Sequence, residues 1–157
     1  MVTRRQLLGA VGAVAAAGAL GLGAPRRAQA QQLGQQETVQ EGLKRLFGAR
    51  PIKAGAGIVK LDVPLIAENG AVVPISVEVA SPMTAQNHVK HIYIVADHNR
   101  IPIILRAALA PESGQAVAGA TVRLGETGDV RAIVEQSDGT LLQVAREVKV
   151  TVGGCGG

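Results

Sequence analysis

Leu142-Gln143-Val144-Ala145-Arg146-Glu147-Val148-Lys149-Val150-Thr151-Val152 is the stretch that decides the fold. Leu142, Val144, Val148, Val150 and Val152 fall on one face, with Arg146 interrupting it, and Gln143, Glu147, Lys149 and Thr151 fall on the other. A period of two is the pattern of a strand with one face against a core and one in water. Ser137-Asp138-Gly139 stands just ahead of it. Asp-Gly between two apolar runs is a hairpin signal, so this strand pairs back onto the segment Val130 to Glu135.

The same period extends toward the N-terminus. Ile58 to Val63 reads as a first strand, and Val73, Ile75, Val77 and Val79 alternate with Pro74, Ser76 and Glu78. Val89 to Ala96 is nearly continuous in apolar residues, which suits a strand inside a sheet. Ile103 to Leu109 and Val117 to Leu124 complete the set. Turn clusters separate them, at Glu68-Asn69-Gly70, Asp97-His98-Asn99-Arg100, Pro111-Glu112-Ser113-Gly114 and Glu126-Thr127-Gly128-Asp129. The expectation is an all-β chain, an immunoglobulin-like antiparallel β-sandwich of about seven strands, without the tryptophan and disulfide of antibody domains. A short helix precedes it, at about 38–47. Thr38 and Glu41 form a capping box, Val39, Leu43, Leu46 and Phe47 follow at helical spacing, and Gly48 stops the helix before Pro51. Such a helix docks by its apolar stripe, on its own domain or on a partner.

Beyond Val152 the chain ends in Gly153-Gly154-Cys155-Gly156-Gly157, which holds the single cysteine. Strand pairing is expected to stop near Val152, because glycines have no side chain to pack and lose much entropy when ordered. Residues 153–157 thus read as a flexible arm. Its three steps from Val152 to Cys155 reach roughly 10 Å.

At the other end, Thr3-Arg4-Arg5-Gln6-Leu7-Leu8 is a twin-arginine pattern, followed by an apolar run from Leu7 to Ala24 and a small-x-small site at Ala28-Gln29-Ala30. Residues 1–30 therefore read as an export leader cleaved after Ala30, leaving residues 31–152 as the folded domain in the periplasm. Four of the 16 basic residues and none of the 12 acidic ones lie in the leader, so the mature chain is electrically neutral. That balance gives no reason to expect nucleic-acid or anionic-membrane binding.

Few chemistries remain open. The absence of a C-x-x-C pair excludes a self-contained dithiol centre. Between strand and helix no glycine-rich loop offers a phosphate cradle. His88, His91 and His98 are the only histidines. The first two are three apart, on opposite faces of a strand, and all three read as surface or loop residues with no metal site. The carboxylates are scattered, so no catalytic set, cofactor site or metal site is expected. Cys155 is accessible, and nothing adjacent in sequence activates it. Two readings stay open for it: a covalent carrier whose activation comes from partner enzymes, or a cross-linking cysteine in a periplasmic assembly or adaptor subunit.

The chain resembles the SoxY family, the sulfur-carrier subunits of the periplasmic thiosulfate-oxidising Sox system. The resemblance lies in Glu37-Thr38-Val39 through Leu46-Phe47-Gly48, Arg50-Pro51-Ile52, Ile66-Ala67-Glu68-Asn69-Gly70, Ser81-Pro82-Met83-Thr84, Val95-Ala96-Asp97 and Ser137-Asp138-Gly139. Its most specific part is Glu147 to Val152 running into Gly153-Gly154-Cys155-Gly156-Gly157. The resemblance implies a heterodimer with SoxZ, a second β-sandwich, and covalent attachment of thiosulfate-derived sulfur to Cys155. It implies that SoxAX couples thiosulfate oxidatively to Cys155 and that SoxB releases sulfate hydrolytically. Where SoxCD is present, the remaining persulfide sulfur is oxidised. Haem, molybdenum and manganese are then cofactors of those partners and not of this chain.

Overall fold

The structure is a computed structural model, and it describes residues 34–153. The expected leader and residues 154–157 of the expected arm, Cys155 included, lie outside the described residues. Met1–Ala30 and Gln31–Gly157 are separate units, and all that follows concerns the second.

The sandwich expected from the sequence is present, with one helix, α1 (Val39–Phe47), and nine strands among the described residues. In chain order these are β1 (Ile52–Ala54), β2 (Val59–Asp62), β3 (Ile66–Ala67), β4 (Val73–Val79), β5 (Val89–Ala96), β6 (Ile103–Ala108), β7 (Ala116–Val122), β8 (Gly128–Gln136) and β9 (Leu141–Val150). One sheet has the order β1-β9-β8-β5-β6, with β3 also beside β9, and the other has the order β2-β4-β7.

Two elements add to the sequence reading. β1 and β3 are short and pair in parallel with the two ends of β9, Ile52–Ala54 against Leu141–Gln143 and Ile66–Ala67 against Lys149–Val150. Three and two residues carry too little periodicity to be seen in sequence. Their pairing depends on a strand some 80 to 90 positions away. The antiparallel pattern therefore holds for the main ladders, and the outer edge of β9 is parallel.

Sequence pattern and burial agree in β4, β5 and β8, whereas β9 alternates only toward its end, with Leu141 and Leu142 both buried and Ala145, Arg146 and Glu147 all exposed. β4 alternates strictly between buried and exposed, as expected of a sheet covered on one face. β5 and β8 are apolar almost throughout because their sheet is covered on both faces. Ile92, Ile94, Ala132 and Val134 face the second sheet and join Val59, Leu61, Ile75, Val77, Leu142 and Val148 in the inter-sheet core. Tyr93, Val95, Ile103, Ile133 and Leu141 face the opposite way, where Val39, Leu46 and Phe47 of α1 cover them. Thus α1 is a packing helix on its own domain.

The helix ends follow the sequence signals. The Thr38 amide donates to Glu41 Oε2 at 2.8 Å, and the Glu41 amide donates to Thr38 Oγ1 at 3.3 Å. Gly48, at φ 64°, closes the other end. Between β8 and β9, Gly139 takes φ 86° and its amide donates to the Gln136 carbonyl at 3.0 Å, a turn in which the Asp138-Gly139 signal is realised. Met83 is the one non-glycine at positive φ among the described residues, at 48°.

Candidate functional site

The sequence points to the end of β9, and the structure shows how that end is held. Two loops close around it, 65–72 and 123–127. The Thr151 amide donates to the Ala67 carbonyl at 3.1 Å, and its hydroxyl donates to the Glu68 carbonyl at 2.9 Å. The Gly70 amide donates to the Val152 carbonyl at 2.7 Å, and the Gly70 carbonyl accepts from the Leu124 amide at 2.7 Å. On the other side of the strand, the Val150 amide donates to Thr127 Oγ1 at 2.9 Å.

Asn99 ties these loops to β5. It is buried, its side-chain amide donates to the Arg123 carbonyl at 2.8 Å, and its oxygen accepts from the Gly125 amide at 2.9 Å. A second tie is Arg131, whose Nε donates to Asp97 Oδ1 at 2.8 Å while its Nη2 pairs with Oδ2. The hydrogen bond to Asp97 raises the Arg131 guanidinium above its ordinary value, against the opposing effect of burial. Regular pairing ends at Val150, and individual backbone bonds continue to the Val152 carbonyl.

Gly153 is the last described residue, and its glycine is dictated by space. A Cβ at this position would lie 2.4 Å from the Gly125 carbonyl oxygen, a backbone atom that cannot swing aside. The root of the expected arm is therefore seated against the 123–127 loop. A Gly153→Ala substitution is expected to push the chain off that loop and weaken the Gly70–Val152 bond, costing about 1 kcal/mol. Faster hydrogen exchange at Gly70, with the cores unaffected, is the result to look for. Unchanged exchange there would refute the close fit.

Val152 departs from the expected pattern. It belongs to the apolar face by alternation but is 63% exposed, because the opposing sheet no longer covers that face beyond Val150. Leu65, Ile66 and Val72 are also largely exposed, at 69, 59 and 62%. They belong to the same 65–72 segment that holds Thr151 and Val152. The end of the sandwich from which the chain runs toward Cys155 thus carries apolar side chains in water.

The histidines sort differently from the sequence reading. His98 is exposed in its turn and hydrogen-bonds the Thr127 carbonyl at 2.8 Å. His88 lies just before β5 and contacts the Thr84 carbonyl at 3.1 Å. His91 is not a surface residue. It is half-buried on the helix side of the large sheet, with Nδ1 2.9 Å from Glu135 Oε2 and Nε2 accepting from Arg106 at 2.9 Å. Arg50, just after α1, donates to Glu135 Oε1 at 2.8 Å and to the Phe47 carbonyl at 3.2 Å. This Arg50–Glu135–His91–Arg106 chain surrounds Phe47 and Tyr93, the chain's one Phe and one Tyr, whose rings meet edge to face at 5.0 Å.

Burial pushes the Glu135 carboxyl up. Hydrogen bonds from Arg50 and His91 outweigh it and hold the group below the usual carboxylate range. The carboxylate is shared among structural partners, so the chain of charges is a brace between α1 and the sheet. Its one legible sequence signal is Glu135, a charge two positions after Ile133 on a buried face. Its partners come from other strands and could not be read off the sequence.

Among the described residues no group of three metal-ligating side chains converges, and no helix is long and apolar enough to cross a membrane.

Comparison with known proteins places this geometry. The family model "Sulfur oxidation protein SoxY" matches residues 43–155. The solved structure of the sulfur carrier protein SoxY from Chlorobium limicola f thiosulfatophilum is similar at 27% identity. That match has a TM-score of 0.61 and covers 73% of this chain and 97% of that one. A superoxide reductase (neelaredoxin) from Ignicoccus hospitalis shares the fold, at 19% identity and a TM-score of 0.52, over 59% of this chain and 80% of that one. A superoxide reductase from Nanoarchaeum equitans does so at 16% identity and a TM-score of 0.51, over 62% of this chain and 99% of that one. No curated protein matches the chain.

Proposed function

Because the chain belongs to the SoxY family of sulfur oxidation proteins, we propose that it is a periplasmic sulfur carrier that holds thiosulfate-derived intermediates covalently on Cys155. The observation that carries the proposal is the family match running to residue 155 over a strand end built as a rigid root. The end of β9 is held by two loops up to Gly153, and Cys155 stands two residues further on. Two steps of chain span at most about 7 Å. Whatever reacts with the thiol must come that close to the root.

The proposal divides the chemistry between carrier and partners. Joining the cysteine sulfur to the outer sulfur of thiosulfate forms one S–S bond, removes the thiol proton and releases two electrons. This chain offers no acceptor for those electrons among the described residues, so a haem-bearing partner such as SoxAX takes them. Water then attacks the terminal sulfone sulfur in SoxB, sulfate leaves, and a persulfide stays on Cys155. SoxCD, where present, oxidises that sulfur.

In this scheme haem, molybdenum and manganese reside in the partners and the chain itself is not an enzyme. SoxZ is the heterodimer partner, and export follows the twin-arginine leader. A second reading, an adaptor that uses Cys155 only for cross-linking, predicts different masses on the same peptide.

Intact-mass spectrometry without reductant, on protein from cells oxidising thiosulfate, tests the proposal. The C-terminal peptide is expected to carry added sulfur and thiosulfonate. Free thiol and mixed disulfides alone, in cells consuming thiosulfate, would support the cross-linking reading instead.

A further inference from the structure

We propose that the exposed apolar side chains around the end of β9, Leu65, Ile66, Val72 and Val152, are the docking surface for the enzymes that act on Cys155. Those enzymes meet it with an apolar rim around the mouth of the active site. The inference rests on the sulfur-carrier reading of that cysteine. Six large apolar side chains are exposed among the described residues, and four of them are these. The other two lie at the far end of β4. The Ile58 carbonyl accepts from the Ala80 amide, and Val117 pairs with Glu78, six residues or roughly 20 Å from Val72. Single exposed apolar residues are ordinary, but four gathered around one strand end mark a surface that meets another protein.

The backbone gathers them. The Leu65 carbonyl accepts from the Lys149 amide at 2.9 Å, and Ile66 pairs with Lys149. Gly70 is bonded to Val152, and the Val72 amide donates to the Asn69 carbonyl at 3.3 Å. Ile66 precedes the buried Ala67 and Val72 precedes the buried Val73, so both turn away from the core. The four side chains therefore flank the strand end on more than one side.

Reach decides what covers them. Cys155 stands two residues beyond Gly153, at most about 7 Å of chain. A standard interface takes about 800 Å² from each partner, a disc roughly 16 Å in radius. Val152 adjoins Gly153, and Lys149, beside Ile66, is four residues or roughly 13 Å back along the chain. An enzyme that closes on the thiol thus covers these side chains. A permanent subunit seated here would stand between the thiol and every enzyme of the cycle, so the occupant is one that comes and goes. Apolar contact is non-directional, which lets one surface serve enzymes of different chemistry.

The test follows sulfate release by SoxB from the purified protein, with any bound subunit, after loading with tetrathionate. The Cys155 thiolate forms an S–S bond to one inner sulfur, the S–S bond of tetrathionate breaks, and thiosulfate leaves with the electron pair. An S-thiosulfonate stays on the cysteine. Three forms are compared: parent, Leu65→Ser with Val72→Ser, and Ile58→Ser with Val117→Ser. The second is expected to raise KM about tenfold with kcat unchanged, and the third to stay within about twofold of the parent. Equal KM in all three overturns the docking surface and leaves the carrier reading standing. A loaded parent from which SoxB releases no sulfate fails the carrier reading, and the inference falls with it. Iodoacetamide should alkylate Cys155 at the same rate in all forms. A slower rate in the second would trace its KM to a displaced arm and overturn the proposal. A concentration-dependent dimer that Leu65→Ser with Val72→Ser abolishes assigns the surface to a second copy. Protection of the Leu65 and Val72 amides by SoxZ assigns it to a permanent subunit, and either outcome also overturns the proposal.

Discussion

A Cys155→Ser chain is expected to fold like the parent and to lose thiosulfate-dependent sulfate formation down to background. The serine hydroxyl has no sulfur with which to form the S–S bond that the proposed cycle begins with, and no second cysteine in the chain can replace it. Folding should be indifferent to the change, because both cores are built from residues no later than Val150. Thiosulfate consumption and sulfate release in a strain lacking any other carrier, together with a thermal melt, check both halves. Continued oxidation in that strain would remove Cys155 from the mechanism.

The second large effect is on stability. Replacing Glu135 by Leu is expected to cost about 2 to 3 kcal/mol, since it leaves Arg50, Arg106 and His91 around an apolar side chain. Breaking a fully buried pair costs more, and the figure is set lower because the Arg50 side chain keeps 40% of its exposure. A denaturant titration at neutral pH reads this directly.

The pH dependence follows from the same group. Its carboxyl is held below the ordinary value of 4.5 in the folded state, so the folded state favours the ionised form. The stability this contributes is complete above pH about 4.5 and is lost as pH falls through the folded-state value. Glu135→Gln should therefore lower stability at neutral pH and flatten its fall on acidification below that point. An acid slope identical to the parent's would show that Glu135 is not the group responsible.

What the sequence made legible follows from how local each signal is. The capping box of α1, the alternation of β4, the apolar runs of β5 and β8 and the Asp138-Gly139 turn all lie within a few residues. Each reappears in the structure near where its pattern placed it. The missed features are those whose partners are distant. β1 and β3 exist only by pairing with β9, the salt bridge from Arg50 to Glu135 spans 85 positions, and the fit of Gly153 depends on the carbonyl of Gly125. Val152 shows the limit from the other side. Alternation assigns a face to a residue, but only the extent of the opposing sheet decides whether that face is covered.

The two parallel strands beside β9 have a mechanical consequence. In the proposed cycle, a partner that draws on Cys155 puts tension on β9. Its first residues are flanked by β1 and β8, and its last by β3, with Val148 still paired to Gly128 of β8. Tension along the strand therefore loads the bonds on both flanks together, in shear, and does not peel them one at a time from an open edge. A carrier worked through its tip, as proposed, would keep its sandwich intact through each tug, because the strand under load is paired on both flanks.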